Sequence, residues 1–445
     1  MARRISARVD QATAQGIAAA IGAMVGEGEL QPGDKLPTVR ALAAELGVSV
    51  NTVSDAWRRL SSHGVISTDR RRGTTVRSPP AGVGGRYWRV PVEPGTIDLD
   101  LSTGTPDDEL LPPIGPVLHH LHADVTVTSY IDPPVVVELE AELRRRWPFP
   151  PQSITVVDGA QDALDRVVSE LVGFGDTVVI EDPTFPPLID MVELAGARVI
   201  GVALDDEGPR LDALAAAMDH DPVALFIQPR AHNPTGVHLS SRRAGAIAEL
   251  VAGTRTRVVE DDHSGAATGV AIESVGTAQP DQVIHIQSFS KSHGPDLRIA
   301  ALSGPADVID NITRRRQLGP SWTSRLIQQI LLTMLTDPDT ETLVVAAATE
   351  YQRRRGELRA ELNERGVSVS PGVGLNMWIP VTDEQRAVVA LAAHGIGAAP
   401  GRPFRVDATD QHHIRLSIGA LRSGFAAVAE TVVAAATEPP ATVVS

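Results

Sequence analysis

The chain has 445 residues, no cysteine, 42% hydrophobic and 21% charged residues, and a formal net charge of −15. That length allows a large buried core in two or more domains. The missing thiols exclude disulfides and cysteine-ligated zinc, no other metal is expected, and no apolar run approaches the roughly eighteen residues of a membrane span. The charge is uneven: residues 1–78 carry eleven Lys and Arg against seven Asp and Glu, or +4, so the remainder carries 29 against 48, or −19. A basic N-terminal piece on an acidic body directs any polyanion to that piece. Arg3, Arg4 and Arg8 interrupt any secretory h-region, so a cytoplasmic protein is expected.

Residues 1–78 are predicted to form short helices and an arginine-rich hairpin. Gln31-Pro32-Gly33-Asp34-Lys35-Leu36-Pro37 ends one helix and leads to Thr38, which can cap the next. Val39, Leu42, Ala43 and Leu46 then fall on one face. Gly47-Val48-Ser49 is a tight turn, and Ser49 can cap a third helix bearing Val53, Ala56, Trp57 and Leu60. Two helices joined by three residues fit a helix-turn-helix, whose second helix enters the major groove of double-stranded DNA with its N-terminal end first. The run Val65–Val76 reads as a β-hairpin with Arg70, Arg71 and Arg72 at its tip, suited to phosphate or minor-groove contact. The alternative is a three-helix dimerisation or docking module, which has no need of three arginines there.

This segment resembles the winged helix-turn-helix of the GntR regulators, through Pro-Gly-x-x-Leu-Pro, Gly-Val-Ser and the Arg-Gly-Thr wing. The resemblance implies DNA contacts by Arg40, by Ser49, Asn51 and Thr52 at the start of the recognition helix, and by Arg70, Arg71, Arg72 and Gly73 in the wing. Val50 and Ser54 stand where arginines are frequent, so fewer guanidinium contacts to guanine are expected.

Residues 79–96, rich in proline and glycine, read as a linker. From 97 to 437, β-branched runs alternate with Ala/Leu-rich stretches, which predicts an α/β fold with a mostly parallel sheet and helices on both faces. The clearest strands are Ile154–Val157, Thr177–Ile180, Val199–Val202, Ala224–Gln228, Arg257–Glu260 and Val283–Gln287. A larger part is expected over about 140–315 and a smaller α/β part over about 97–139 and 316–437, with Arg355–Arg365 as a surface helix. Residues 438–445 read as a loose tail.

The chain writes arginine 38 times and lysine twice, and one lysine is Lys291 in Ser288-Phe289-Ser290-Lys291. A guanidinium cannot lose its proton and condense with an aldehyde; a primary amine can. Lys291 would therefore hold pyridoxal 5'-phosphate (PLP) as an imine. Asp261, at the end of the strand Val258-Val259-Glu260-Asp261-Asp262-His263, can pair with the pyridinium nitrogen and keep the ring an electron sink. Asn233, in His232-Asn233-Pro234-Thr235-Gly236, can donate to the phenolic oxygen. Gly159, Ala160 and Gln161 open a helix whose N–H groups cradle phosphate, with Ser288, Ser290 and Arg298 completing the cup. Phe185 can stack on the ring. Singly each is an ordinary turn, cap or core residue; their order and spacing carry the reading.

With these motifs, residues from about 97 to 437 resemble the class I/II aminotransferases of PLP fold type I, and the whole chain resembles the MocR subfamily of GntR regulators. The resemblance implies a homodimer with sites at the subunit boundary, Tyr130 reaching the partner's cofactor phosphate, and Arg415 gripping the α-carboxylate of an amino-acid effector or substrate. Four positions depart from the pattern. His263 replaces a usual tyrosine, Phe185 replaces another, Pro187 stands where some relatives carry a second carboxylate-binding arginine, and Pro134 stands where glycine is usual. The leading expectation is a transcriptional regulator that senses PLP, or an amine or amino acid, and binds an operator near its own gene. The alternative is a working aminotransferase with an accessory DNA module.

Overall fold

The computed structural model of the chain describes residues 1–9, 11–26, 29–31, 33–62, 66–69, 73–76, 85–86, 97–120 and 129–437. The wing-tip residues Arg70, Arg71 and Arg72, most of the expected linker and the expected tail lie outside the described residues.

At the N-terminus, Thr38 accepts a hydrogen bond from Ala41 N at 3.2 Å and starts the helix Val39–Leu46. Gly47 ends it in the left-handed region at φ 67°, a conformation that costs glycine little. Ser49 then accepts from Thr52 N at 3.1 Å, at the head of the helix Val50–Ser62. Val53, Ala56, Trp57 and Leu60 are all buried, against Ile17, Ile21 and Met24 of the helix Ala14–Gly26. Strands Ile66–Asp69 and Gly73–Val76 pair antiparallel, and Lys35 bridges to Thr75, so the hairpin is tied to the turn before the second helix. This is a winged helix-turn-helix.

The large unit is an eight-stranded sheet. Its order is Ser153–Val157, Ala300–Gly304, Val283–Ser288, Arg257–Asp262, Ala224–Ile227, Thr177–Asp182, Arg198–Asp205 and Gly208–Pro209. The five strands from Val283–Ser288 to Arg198–Asp205 run parallel, while Ala300–Gly304 runs antiparallel to both neighbours. Successive side chains enter opposite layers: Val258 packs in one apolar core and Val259 in the other. Burial on both sheet faces explains why these strands read as continuous apolar runs rather than alternating ones.

The smaller unit has a three-stranded sheet, Asn376–Val381 with His412–Ser417 and Ala399–Pro400, under the helices Pro338–Glu364, Glu384–Ala393 and Phe425–Thr437. Two expectations change here. The helix Arg325–Thr336, assigned by sequence to the smaller part, buries Ile330, Leu331, Met334 and Leu335 in the core under the large sheet. Residues 355–365 do not form a separate surface helix. They are the end of the 27-residue helix Pro338–Glu364, with Arg355, Leu358 and Leu362 buried.

Candidate functional site

The carboxyl ends of the parallel strands bring the candidate residues together, the place where open α/β sheets bind ligands. Three consecutive acids end the strand Arg257–Asp262, and each has a different environment. Glu260 points to the far layer, where it accepts from Ser274 Oγ (2.7 Å) and Val275 N (2.7 Å) and meets His285 Nδ1 at 2.8 Å. Asp262 is held by Arg230, Nε at 2.7 Å and Nη2 at 2.6 Å. Asp261 is buried, and its Oδ1 has no hydrogen-bond partner. Burial first, with the neighbouring negative charges of Asp262 and Glu181, pushes its carboxyl up to about 7 against the pull of Lys291. An orphaned buried carboxylate oxygen costs free energy unless a donor meets it.

Lys291 lies just past the end of Val283–Ser288, the strand beside that of Asp261. Burial lowers its amine to about 8, partly offset by the charge of Asp261. His263 is held well below its ordinary value, by burial first and then by the charge of Lys291, so its imidazole is neutral and can donate one N–H. Its Nε2 lies 3.1 Å from Ser264 Oγ, and its buried Nδ1 has no partner.

Several residues expected from sequence to form a phosphate cup lie around the start of the helix Ala160–Leu171. Gly159 precedes it at φ 99°, and a Cβ there would lie 3.3 Å from the Arg298 guanidinium. Arg298 Nη2 donates to Asp158 O at 3.3 Å, and Ser288 Oγ accepts from Ser290 N at 3.3 Å. Ser288 is buried, whereas Arg298 is exposed, so the cup opens outward. Phe185 caps the helix Pro186–Leu194 at the end of the adjoining strand. These donors, the orphaned Asp261 oxygen and the half-buried amine fit PLP: Lys291 would hold its aldehyde carbon, Asp261 its ring nitrogen and the cup its phosphate. When bound, the group supplies an electron-withdrawing ring.

Asn233 and Arg415 meet across the two units. Arg415 Nη1 donates to Asn233 Oδ1 at 3.4 Å, and Nη2 donates to Ser102 O. The buried guanidinium lies over the Phe404 ring at 5.2 Å. Tyr130 is not brought to this site: it is 89% exposed, beside Trp322 at 5.8 Å. Among the DNA candidates, Arg40, Ser49, Asn51 and Gly73 are exposed and Thr52 is half-buried.

Sequence reasoning missed a supporting layer. Gln228 donates through Nε2 to Thr184 Oγ1 (3.2 Å), donates through its backbone N–H to Glu181 (2.8 Å), and accepts from Asn233 N (2.9 Å). The buried pair His232–Glu181 and the Arg230–Asp262 pair sit beside it. A glutamine at a strand end gives no signal in one sequence. Arg230 and His232, which precede Asn233, could have drawn notice as titratable groups at the end of the apolar strand Ala224–Ile227.

Comparison with known proteins follows the same division. Residues 96–430 match the family of aminotransferases class I and II, and residues 13–76 match the bacterial regulatory proteins of the gntR family. The vitamin B6 salvage pathway transcriptional repressor PtsJ of Salmonella typhimurium is 33% identical over 422 residues, spanning 93% of this chain and 96% of that protein. The pyridoxine biosynthesis transcriptional regulator PdxR of Corynebacterium glutamicum is 26% identical over 63% of this chain and 64% of its own. The kynurenine aminotransferase of Pyrococcus horikoshii shares the fold at a TM-score of 0.69 and 22% identity, covering 77% of this chain and 90% of the enzyme. With a gntR-type winged helix joined to an aminotransferase-like body, the chain belongs to the MocR subfamily of GntR transcriptional regulators.

Proposed function

We propose that the chain is a PLP-responsive regulator whose aminotransferase-like body binds the cofactor through Lys291 and whose winged helices read an operator near its own gene. The observation that carries the cofactor assignment is the buried Asp261 Oδ1, unpartnered beside an amine lowered to about 8. A pyridinium N–H supplies the donor that the oxygen lacks. The similarity to PtsJ supports vitamin B6 genes as the targets. Arg415, whose Nη1 donates to Asn233 Oδ1, is the group that would hold an amino-acid effector by its α-carboxylate. Tyr130 and Ile131, 89% and 93% exposed, support a homodimer in which this segment faces the partner's cup. We further infer a cytoplasmic protein, because DNA is its partner; among the described residues no helix is long and apolar enough to cross a membrane.

The test is titration of the purified chain against DNA upstream of its own gene, with and without PLP. Specific binding whose affinity changes with PLP is the expected result. No binding in either condition, with the visible absorbance of bound PLP present, would turn the reading to an aminotransferase; repeated turnover with an amino donor and a keto acid would then identify it.

A further inference from the structure

Two helices that start near the candidate site lead toward the N-terminal unit, one to a contact with the winged helix and one to a contact with the segment that follows it. The first, Ala160–Leu171, starts at the phosphate cup and runs out at Val172. Just beyond it, the Phe174 ring fills a slot between Gly22, on the helix Ala14–Gly26, and Gly196 of the large unit. A Cβ at either glycine would collide with that ring, and Phe174 packs against the apolar core of the winged helix. The second helix, Pro186–Leu194, follows Phe185, whose chain neighbour Thr184 accepts from Gln228 in the layer that supports Asn233. Its outer face carries Asp190 and Glu193, which clamp Arg86 of the linker segment. Arg86 N donates to Asp190 Oδ2 at 2.7 Å, Nη1 donates to Asp190 Oδ1, and Nη1 and Nη2 donate to Glu193 at 2.8 and 2.7 Å.

The contact does not mask the reading head. Ser49 and Asn51, at the start of the recognition helix, stay exposed, while the docked face is that of Gln15, Ala18 and Gly22, with Arg59 from the far end of the recognition helix. Docking therefore sets the direction in which the recognition helix points. A helix is stiff over nine to twelve residues, so a shift of either N-terminus on ligand binding reaches the slot and the clamp.

We propose that the Phe174 slot and the Arg86 clamp form a docking surface for the chain's own winged helix, and that this dock transmits cofactor occupancy to DNA affinity. The inference rests on the PLP-responsive regulator proposed above. Coupling requires PLP to bind the docked and undocked arrangements unequally, which in comparable systems amounts to about five-fold to 150-fold in affinity.

The full-length chain has no cysteine, so Gly22→Cys with Phe174→Cys introduces the only two thiols. Their Cβ atoms fall within about 4 Å, the spacing of a disulfide. Oxidation is expected to give an intrachain cross-link on a non-reducing gel, and DNA affinity that no longer responds to PLP. Arg86→Ala, which leaves both cores intact, is expected to keep the absorbance of bound PLP and to bind DNA, with the PLP-dependent change reduced to less than about two-fold. Failure to cross-link within one chain, or an undiminished PLP response in Arg86→Ala, overturns the dock. A wild-type chain that binds PLP and DNA independently overturns the regulator itself, and the cross-link then reports the contact separately.

Discussion

Arg230 closes two N–H groups on the Asp262 carboxylate, at 2.7 and 2.6 Å, and spends a third on Val270 O at 2.9 Å. The pair is buried, and it leaves two adjacent aspartates in different environments. Asp262 is neutralised by a bidentate fork, the strongest arrangement open to a carboxylate. Asp261, one residue earlier and on the opposite side of the strand, keeps an oxygen without a partner.

Substituting each aspartate separates structure from ligand binding. Asp262→Asn strands the Arg230 charge in the interior and is expected to cost about 3–5 kcal/mol, measured by urea unfolding. Asp261→Asn removes an ill-solvated carboxylate, so the PLP-free protein should be no less stable. Its affinity for PLP should fall about ten- to hundred-fold, because a charge-assisted hydrogen bond becomes a neutral one. Equal losses of stability in the two variants would mean that Asp261 is structural.

The ionisations at the site give a pH dependence of definite sign. Only the neutral amine of Lys291 condenses with an aldehyde, and burial has brought that amine from 10.5 to about 8. The rate of PLP capture, followed by visible absorbance, should rise with pH to a midpoint near 8 instead of continuing to rise beyond 10. Asp261 acts on stability in the opposite sense. Its folded value of about 7 exceeds the ordinary 3.8, so between these pH values the folded chain holds a proton that the unfolded chain has released. Stability of the PLP-free protein contributed at Asp261 is complete below about 4 and is lost as pH rises through 7. The unfolding free energy of wild type minus that of Asp261→Asn should therefore decrease from pH 4 to pH 8.

Much of this arrangement was legible in the residues, for reasons that differ by element. Thr38 and Ser49 announce helix starts because their side chains satisfy N–H groups that no helix can satisfy itself. Lys291 stood out because the chain otherwise writes arginine. Strand alternation sets Asp261 apart from both Glu260 and Asp262, but that Asp262 is taken up by Arg230, 32 residues away, needed the fold. The helix Arg325–Thr336 fell on the smaller part's side of the boundary expected near residue 315, because sequence does not show which core a helix packs against. Arg355 fell in a stretch read as a surface helix; in the fold its whole side chain is buried and its Nη1 donates to Asn376 O.

The DNA-reading head should separate into residues that fold it and residues that touch DNA. Trp57, on the buried face of the recognition helix, is expected to cost about 3–5 kcal/mol when replaced by alanine, and thermal unfolding should show the N-terminal unit melting first. Arg40→Ala and Asn51→Ala, both at exposed positions, should leave melting unchanged. A base-contacting residue is worth about 1–3 kcal/mol at one position of the operator, whereas a phosphate contact weakens all sequences alike and reduces the salt slope by about one. Fluorescence titration on operator and random DNA at two salt concentrations distinguishes the two.

Arg415 tests what the body senses. Its guanidinium rests on Asn233 Oδ1 and the Ser102 carbonyl, and the adjacent Leu101 carbonyl accepts from Ser417 N at 2.8 Å. The chain segment leading into Ser102 is thus fixed to the same strand that carries Arg415. An incoming carboxylate offers two charged acceptors in place of neutral ones, and a planar fork exploits both. Arg415→Lys keeps the charge and loses the fork. It should leave PLP absorbance unchanged while weakening the spectral response to amino acids by about ten- to hundred-fold, the value of a hydrogen bond to a charged group. Amines without a carboxylate should act equally on both proteins. If the wild-type chain itself ignores amino acids while its DNA affinity follows PLP, the cofactor is the signal, and Arg415 serves to hold the segment at Ser102 against the smaller unit.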